Sequence, residues 1–269
     1  PPSRTADPIL LLSPETMALL AGAAFLAGFI DAIAGGGGLV SVPALLLAGL
    51  DPVAAVATNK LSATFGAVSA TLAFARRGLI DWRAARNLCA TSFVGSIAGA
   101  ALAVSLPAAW LAGLVPVLLI VTALYVMLRP ALSDVARPPR MRAGVFAVAL
   151  VLPVGAYDGF FGPGAGSLFL LGAVALLGMA AVKGVGLARA LNLASGTGSL
   201  LFFIAAGKVI WPIGLAMGVA QYAGSYCGSR AAIANGARLI RPVLVVVCIA
   251  MALKLLSDGA NPLRQALGL

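Results

Sequence analysis

Four charged side chains stand inside apolar runs, and their spacing relates them in twos. Asp31 and Asp158 are 127 residues apart, and Lys60 and Arg189 are 129 apart. Asp31 precedes "AGGGGLVSVP" and Asp158 precedes "GFFGPGAGS". Each acid thus comes just before a glycine-rich interruption, which hydrocarbon tolerates only where the freed backbone groups find partners. The chemistry this set suits is the holding of an oxyanion. N–H groups at the start of a half-helix attract anions through hydrogen bonds and the helix dipole. Ammonium and guanidinium heads add charge-assisted bonds, and amide side chains add neutral donors.

The candidate ligands are Gly36, Gly37 and Gly164 at the interruptions, Lys60 with its neighbour Asn59, Arg189 with Asn192 on the same helix face, and Gln221. Ser92 matches Gln221 at the offset of 129 and is the weaker candidate, because serine is common in membrane helices. Asp31 and Asp158 are read as proton carriers or as charge balance for the cations. A structural alternative stands beside the functional one: Lys60 pairs with Asp31, and Arg189 with Asp158, as buried ion pairs.

Other chemistries have less to work with. Histidine is absent, which removes the usual proton shuttle and metal ligand. Cys89, Cys227 and Cys248 lie in separate apolar segments without metal-ligand spacing and are read as small core residues. Neither metal nor cofactor is expected. The serine of "ASGTGS" with Lys60 would make the Ser–Lys dyad of an intramembrane enzyme, but no histidine exists to activate it, and no enzyme is expected. An anion channel would share the same cationic site.

The elements that must carry these residues follow from composition. The chain has 269 residues, 61% hydrophobic and 10% charged, with a mean hydropathy of +1.06. A soluble domain carries about 25% charged residues. No apolar–polar alternation of a membrane barrel is visible, so the fold class is an all-α membrane protein. Ten apolar segments are expected, at 17–34, 39–50, 53–76, 85–104, 110–128, 142–157, 165–178, 181–206, 211–228 and 241–257. The segments 39–50 and 165–178 each follow a glycine break, and at about 18–21 Å they fall short of the roughly 30 Å hydrocarbon core.

The acid–glycine stretches align at 127: Asp31 with Asp158, Gly35 with Gly162, Gly37 with Gly164. Beyond them the offset becomes 129, where "RGLIDW" matches "AGKVIW", and Gly95, Ser96 and Gly99 match Gly224, Ser225 and Gly228. Two repeats are expected, 1–134 and 135–269. Five segments each is an odd number, so the second copy runs inverted, as in secondary transporters whose site lies at broken helices near the midplane. The glycines at 95, 99, 224 and 228 are read as a packing ridge. The net charge of +10 is explained by topology rather than by nucleic acid. Arg76, Arg77, Arg83, Arg86, Arg129, Arg137, Arg140, Arg142, Lys183, Arg230, Arg238 and Arg241 flank four loops that should be cytoplasmic, and both termini should lie on the other side. No basic leader with a cleavage site precedes the first apolar segment, so that segment is expected to direct insertion.

The stretch "IDAIAGGGGLVSVPALLLAGLDPVAAVATNKLSATFGAVSATLAFARRGLIDW" resembles the TauE/SafE sulfite exporter family, also called the toluene sulfonate uptake permease family. The shared pattern is the glycine-rich break, a proline, a "P-x-x-A" turn, a Thr-Asn pair and a later "G-x-x-x-W". A weaker second copy runs from Ala156 to Ser229. Where the family often repeats a threonine in its second half, this chain reads "LARALN". The resemblance implies an alternating-access carrier for sulfite, sulfonates or related small sulfur-containing anions, commonly outward. It implies a multi-pass protein of the bacterial inner membrane, with lipid and the anion as its partners. The alternatives are an anion channel or a proton-coupled organic anion uptake permease. A homo-oligomer stays open. In a membrane negative inside, each charge crossing is worth about 2.3 kcal/mol per 100 mV, so a monoanion moving alone is driven out.

Overall fold

A computed structural model of the chain describes residues 13–106 and 135–235. The regular structure there is helical: α1 (Pro14–Ala34), α2 (Gly38–Leu47), α3 (Pro52–Arg76), α4 (Trp82–Ser105), α5 (Ala143–Phe160), α6 (Ala165–Ala175), α7 (Ala181–Ala205) and α8 (Trp211–Asn235). The expected segments 110–128 and 241–257 lie outside the described residues.

Local chemistry sets the helix starts. The Ser13 hydroxyl accepts from the Thr16 N–H and Pro14 opens α1. Asp51 accepts from the Val53 and Ala54 N–H groups and Pro52 opens α3. Asp81 accepts from Arg83 and Ala84 at the start of α4. Short polar side chains at these positions satisfy amides that the helix leaves unpaired, and proline has no amide to lose. The Asp81 cap also accounts for α4 starting before the expected residue 85, and α8 continues past the expected 228 to Asn235. Hydropathy does not register the polar first turn with Arg83 or the last turns with Arg230. Inside α5, a π-helical turn at Ala147–Val151 precedes Pro153, whose ring and missing N–H disturb the regular ladder.

Among the described residues, α1, α4, α5 and α7 are long and apolar enough to cross a membrane. Helices α3 and α8 have 25 residues each, about 37 Å at 1.5 Å per residue, but are more polar. The polarity of α3 is turned inward, with Thr58, Asn59, Lys60, Ser62, Ser69 and Thr71 all buried. Helices α2 and α6, with 10 and 11 residues, reach about half the hydrocarbon thickness.

Helix α1 packs along α8, and α4 along α5; α3 packs on α8, and α7 on α4; α3 and α7 meet in the middle. Exchanging α1–α4 with α5–α8 maps this set of contacts onto itself. The crossings correspond residue by residue. A Cβ on Gly228 would lie 2.3 Å from the Phe29 carbonyl oxygen, and one on Gly99 would lie 1.8 Å from that of Ala156. Gly224 and Gly95 meet the Phe25 and Leu152 oxygens in the same way. These four glycines are the floor of helix–helix crossings, the packing role their spacing suggested. Cys89 is half-buried, but Cys227 is exposed on α8, so it is not the core residue expected.

One end of the bundle gathers cations. The Arg137 N–H donates to the Gly178 carbonyl and the Arg140 N–H to that of Leu176, which joins the segment before α5 to the turn after α6. A Cβ on Gly186, near the start of α7, would lie 2.8 Å from the Leu79 carbonyl oxygen in the α3–α4 loop. Arg76, Arg77, Arg83, Arg137, Arg140, Arg142 and Lys183 therefore flank neighbouring loops. Trp82 and Trp211, both about half exposed, open α4 and α8 at matching positions.

Candidate functional site

The two breaks meet. Helix α1 ends at Gly35, whose φ of +84° is left-handed and favours glycine. Gly162 and Gly164, at φ +99° and +83°, flank Pro163 in the second break. The two interruptions satisfy one another. The Ser167 hydroxyl donates to the carbonyls of Ala34 (2.7 Å) and Gly35 (3.0 Å), and the Ser167 N–H also donates to Gly35 (3.2 Å). A Cβ on Gly35 would come within 2.3 Å of the Gly166–Ser167 peptide, so the backbones touch where only glycine fits. The Tyr157 hydroxyl donates to the Pro163 carbonyl at 2.7 Å and steadies the second break.

The four intramembrane charges form two ion pairs, and the partners differ from the expected ones. Lys60 Nζ binds Asp158 Oδ1 at 2.8 Å, and Arg189 Nη1 binds Asp31 Oδ2 at 2.5 Å. Neither the Lys60–Asp31 nor the Arg189–Asp158 pair forms: each cation takes the acid of the other half. The reason is packing: α3 and α7 lie against each other, and Lys60 Nζ ends beside Asp158 and Gly162 while the Arg189 guanidinium ends beside Asp31 and Gly166. Lys60, Asp158 and Arg189 are almost fully buried, and the Asp31 side chain is 13% exposed. The remaining carboxylate oxygens are also engaged. Asp31 Oδ1 accepts from the Gly37 N–H (3.2 Å), and Asp158 Oδ2 accepts from the Ser195 hydroxyl (2.5 Å).

Between the breaks lies a cavity of about 30 Å³. Its wall takes Asp31 and Gly35 from the end of α1, Gly38 from α2, and Asn59, Lys60 and Thr64 from α3. Asp158, Gly162, Gly164 and Gly166 come from the second half's break, Asn192 and Gly196 from α7, and Gln221 from α8. The structure thus brings together Asn59, Lys60, Gly164, Asn192 and Gln221, with both acids. It leaves Gly36 and Gly37 out of the wall: Gly37 turns toward α1, where a Cβ would lie 2.5 Å from the Ala27 oxygen, and its N–H is taken by Asp31. Arg189 stands behind the wall, its guanidinium over Gly166 and its Nε without a hydrogen-bond partner.

The ligating capacity of the wall is specific. An ammonium has three N–H donors, and Lys60 gives one to Asp158. Ser41 donates to the Asn59 amide oxygen at 2.5 Å, which leaves the Asn59 NH2 as the end offered to a ligand. Gln221 is buried and its Oε1 has no partner, a costly state; an oxyanion, itself an acceptor, could be served only by the amide's NH2. Ser92, by contrast, donates to the Leu191 carbonyl and serves the α4–α7 contact. Sequence reasoning missed Ser195, Ser41 and Ser167. The first stood in "ASGTGS" six residues past Arg189, with no signal that it would face Asp158, the acid of its own half.

The sequence model of the family described as sulfite exporter TauE/SafE matches residues 20–255. Three relatives carry the name probable membrane transporter protein. ORF9 of Sinorhizobium sp is 45% identical over 257 residues, covering 96% of this chain and 98% of that protein. YfcA of Escherichia coli (strain K12) is 44% identical over 255 residues, 95% of each chain. A Haemophilus influenzae protein is 36% identical over 244 residues, 91% of this chain and 96% of its own. No solved structure matches the chain.

Proposed function

The chain belongs to the sulfite exporter TauE/SafE family of multi-pass membrane transporters, and we propose that the cavity between its two helix breaks is the substrate site of an alternating-access carrier for a small sulfur oxyanion. The observation that carries this reading is the cavity itself: placed where both breaks meet, and walled by an ammonium with spare donors and by three amide side chains. Its size favours a compact anion. About 30 Å³ holds roughly two water molecules, which suits a pyramidal trioxo anion such as sulfite better than the ring of an arenesulfonate. The interchangeable contacts of α1–α4 and α5–α8 support two inverted repeats, 1–134 and 135–269, rocking about the site. The cationic end of the bundle would be cytoplasmic, in the inner membrane of a bacterium.

Purified protein should be stabilised against heat by sulfite more than by chloride or acetate. In proteoliposomes, flux should saturate and be accelerated by anion on the far side, as a carrier's is and a channel's is not. Unsaturable flux would favour the channel, and absence of any anion-dependent stabilisation or flux would remove the reading.

A further inference from the structure

The cavity is electrically balanced before any substrate arrives. Among the described residues its charges are Lys60 on α3, Asp158 on α5, Asp31 on α1 and, behind the wall, Arg189 on α7, all paired. A monoanion bound through the spare donors of Lys60 would leave the buried site with a net charge of −1, two anions sharing one ammonium. Burying uncompensated charge is strongly unfavourable. A proton arriving with the anion removes the conflict.

We propose that Asp158 takes up a proton when the anion binds, so that anion and proton cross the membrane together as a neutral pair. This rests on the oxyanion-carrier reading above. The proton comes from the solvent on the side that faces the open site. It bonds to Asp158, whose Oδ1 releases Lys60 Nζ. The ammonium then donates to an anion oxygen, and the total charge of the site stays at zero.

The surroundings of the two acids select Asp158. Asp31 is bonded to a guanidinium and to the Gly37 N–H, which only donate, so a proton on Asp31 finds no acceptor among them. Asp158 is bonded to Lys60 and to the Ser195 hydroxyl, and a hydroxyl both donates and accepts. The Ser195 oxygen already lies 3.1 Å from the Leu191 carbonyl and 3.3 Å from that of Asn192. Its hydrogen can turn to Leu191 while its lone pair accepts from protonated Asp158. Ser195 is thus a positioning residue that keeps both protonation states hydrogen-bonded. The Tyr157 hydroxyl, next in sequence, is turned to Pro163. One consequence concerns direction. For a neutral pair the membrane voltage drops out, and net flux follows the combined gradients of anion and proton.

Chlorate is a suitable probe: a pyramidal trioxo monoanion, isoelectronic with sulfite, that carries no titratable proton of its own. Full-length protein in weakly buffered detergent, mixed with chlorate and a pH indicator, should take up about one proton per anion bound. Chlorate affinity should rise as pH falls, by about tenfold per pH unit while Asp158 is ionised in the free protein. In Asp158→Asn both the uptake and the slope should vanish, and chlorate flux in vesicles should become voltage-driven, whereas wild-type flux is indifferent to voltage. Ser195→Ala removes a charge-assisted bond from ionised Asp158 and a weaker neutral one from the protonated acid, so proton uptake should persist at about one per anion and chlorate affinity should not fall. Chlorate binding with no proton uptake by the wild type would overturn the inference and leave the oxyanion site standing. Failure of both chlorate and sulfite to bind would remove the site, and the inference with it.

Discussion

Replacing Lys60 by methionine separates the pairing found in the fold from the pairing suggested by chain proximity. The side chain is 3% exposed as a residue and makes its ion pair at 2.8 Å with an acid that is 4% exposed. Lys60→Met keeps the apolar stem and removes the charge. It leaves the Asp158 carboxylate buried, with only the Ser195 hydroxyl on Oδ2. Breaking a buried pair on one side costs about 3–5 kcal/mol, while removing both charges is often nearly neutral. Lys60→Met should therefore be destabilised by about 3–5 kcal/mol, and Lys60→Met/Asp158→Asn should recover most of it. Lys60→Met/Asp31→Asn should recover nothing, because it also strips Arg189 of its partner. Reversible denaturant unfolding in mixed micelles, followed by tryptophan fluorescence, gives the four corners of each double-mutant cycle. Coupling of Lys60 to Asp31 larger than to Asp158 would refute the cross-paired arrangement and the charge balance built on it. Anion binding separates structure from function in the same proteins, since the double variant should fold and yet bind anion at least tenfold more weakly, the worth of one charge-assisted bond.

Gly99→Leu and Gly228→Leu should abolish folded protein in detergent, as a side chain there meets a carbonyl oxygen across the helix crossing; Gly22→Ala, with nothing within 4 Å, should melt no lower and gain up to about 1 kcal/mol in helix propensity. Gly164→Ala should lose about 1–2 kcal/mol from its left-handed backbone and lose flux further, whereas Gly37→Leu should act chiefly on stability by crowding Asp31 and Ala27; melting and vesicle flux measured together distinguish the two. Gln221→Leu should leave stability unchanged or raise it by about 1–3 kcal/mol, because a buried unpaired acceptor is removed, while sulfite stabilisation weakens. A cysteine at position 137 on a cysteine-free background should resist membrane-impermeant thiol reagents in intact cells, and labelling there would overturn the assigned orientation.

Several features were legible without coordinates. Hydropathy and glycine content are local properties, so the apolar segments within the described residues and both helix interruptions could be placed from composition alone. The offsets of 127 and 129 also paired the glycines that floor the two long crossings, Gly95 and Gly99 with Gly224 and Gly228. Equivalence is not contact, however. An offset pairs Lys60 with Arg189, but an ion pair forms with whatever acid the packing brings within 4 Å, and here Lys60 meets Asp158 and Arg189 meets Asp31. The same limit hid Ser195. A serine between small residues in a helix has no signature until its carboxylate partner arrives from 37 positions away. Gly36 and Gly37 do not line the cavity: after the left-handed Gly35, Gly37 turns back against α1, and the wall is completed by Gly35 and Gly38 instead. Chain order determines which groups are present and where the helices break, but the long-range packing of the two halves decides which charges are neutralised and which donors remain free for a ligand.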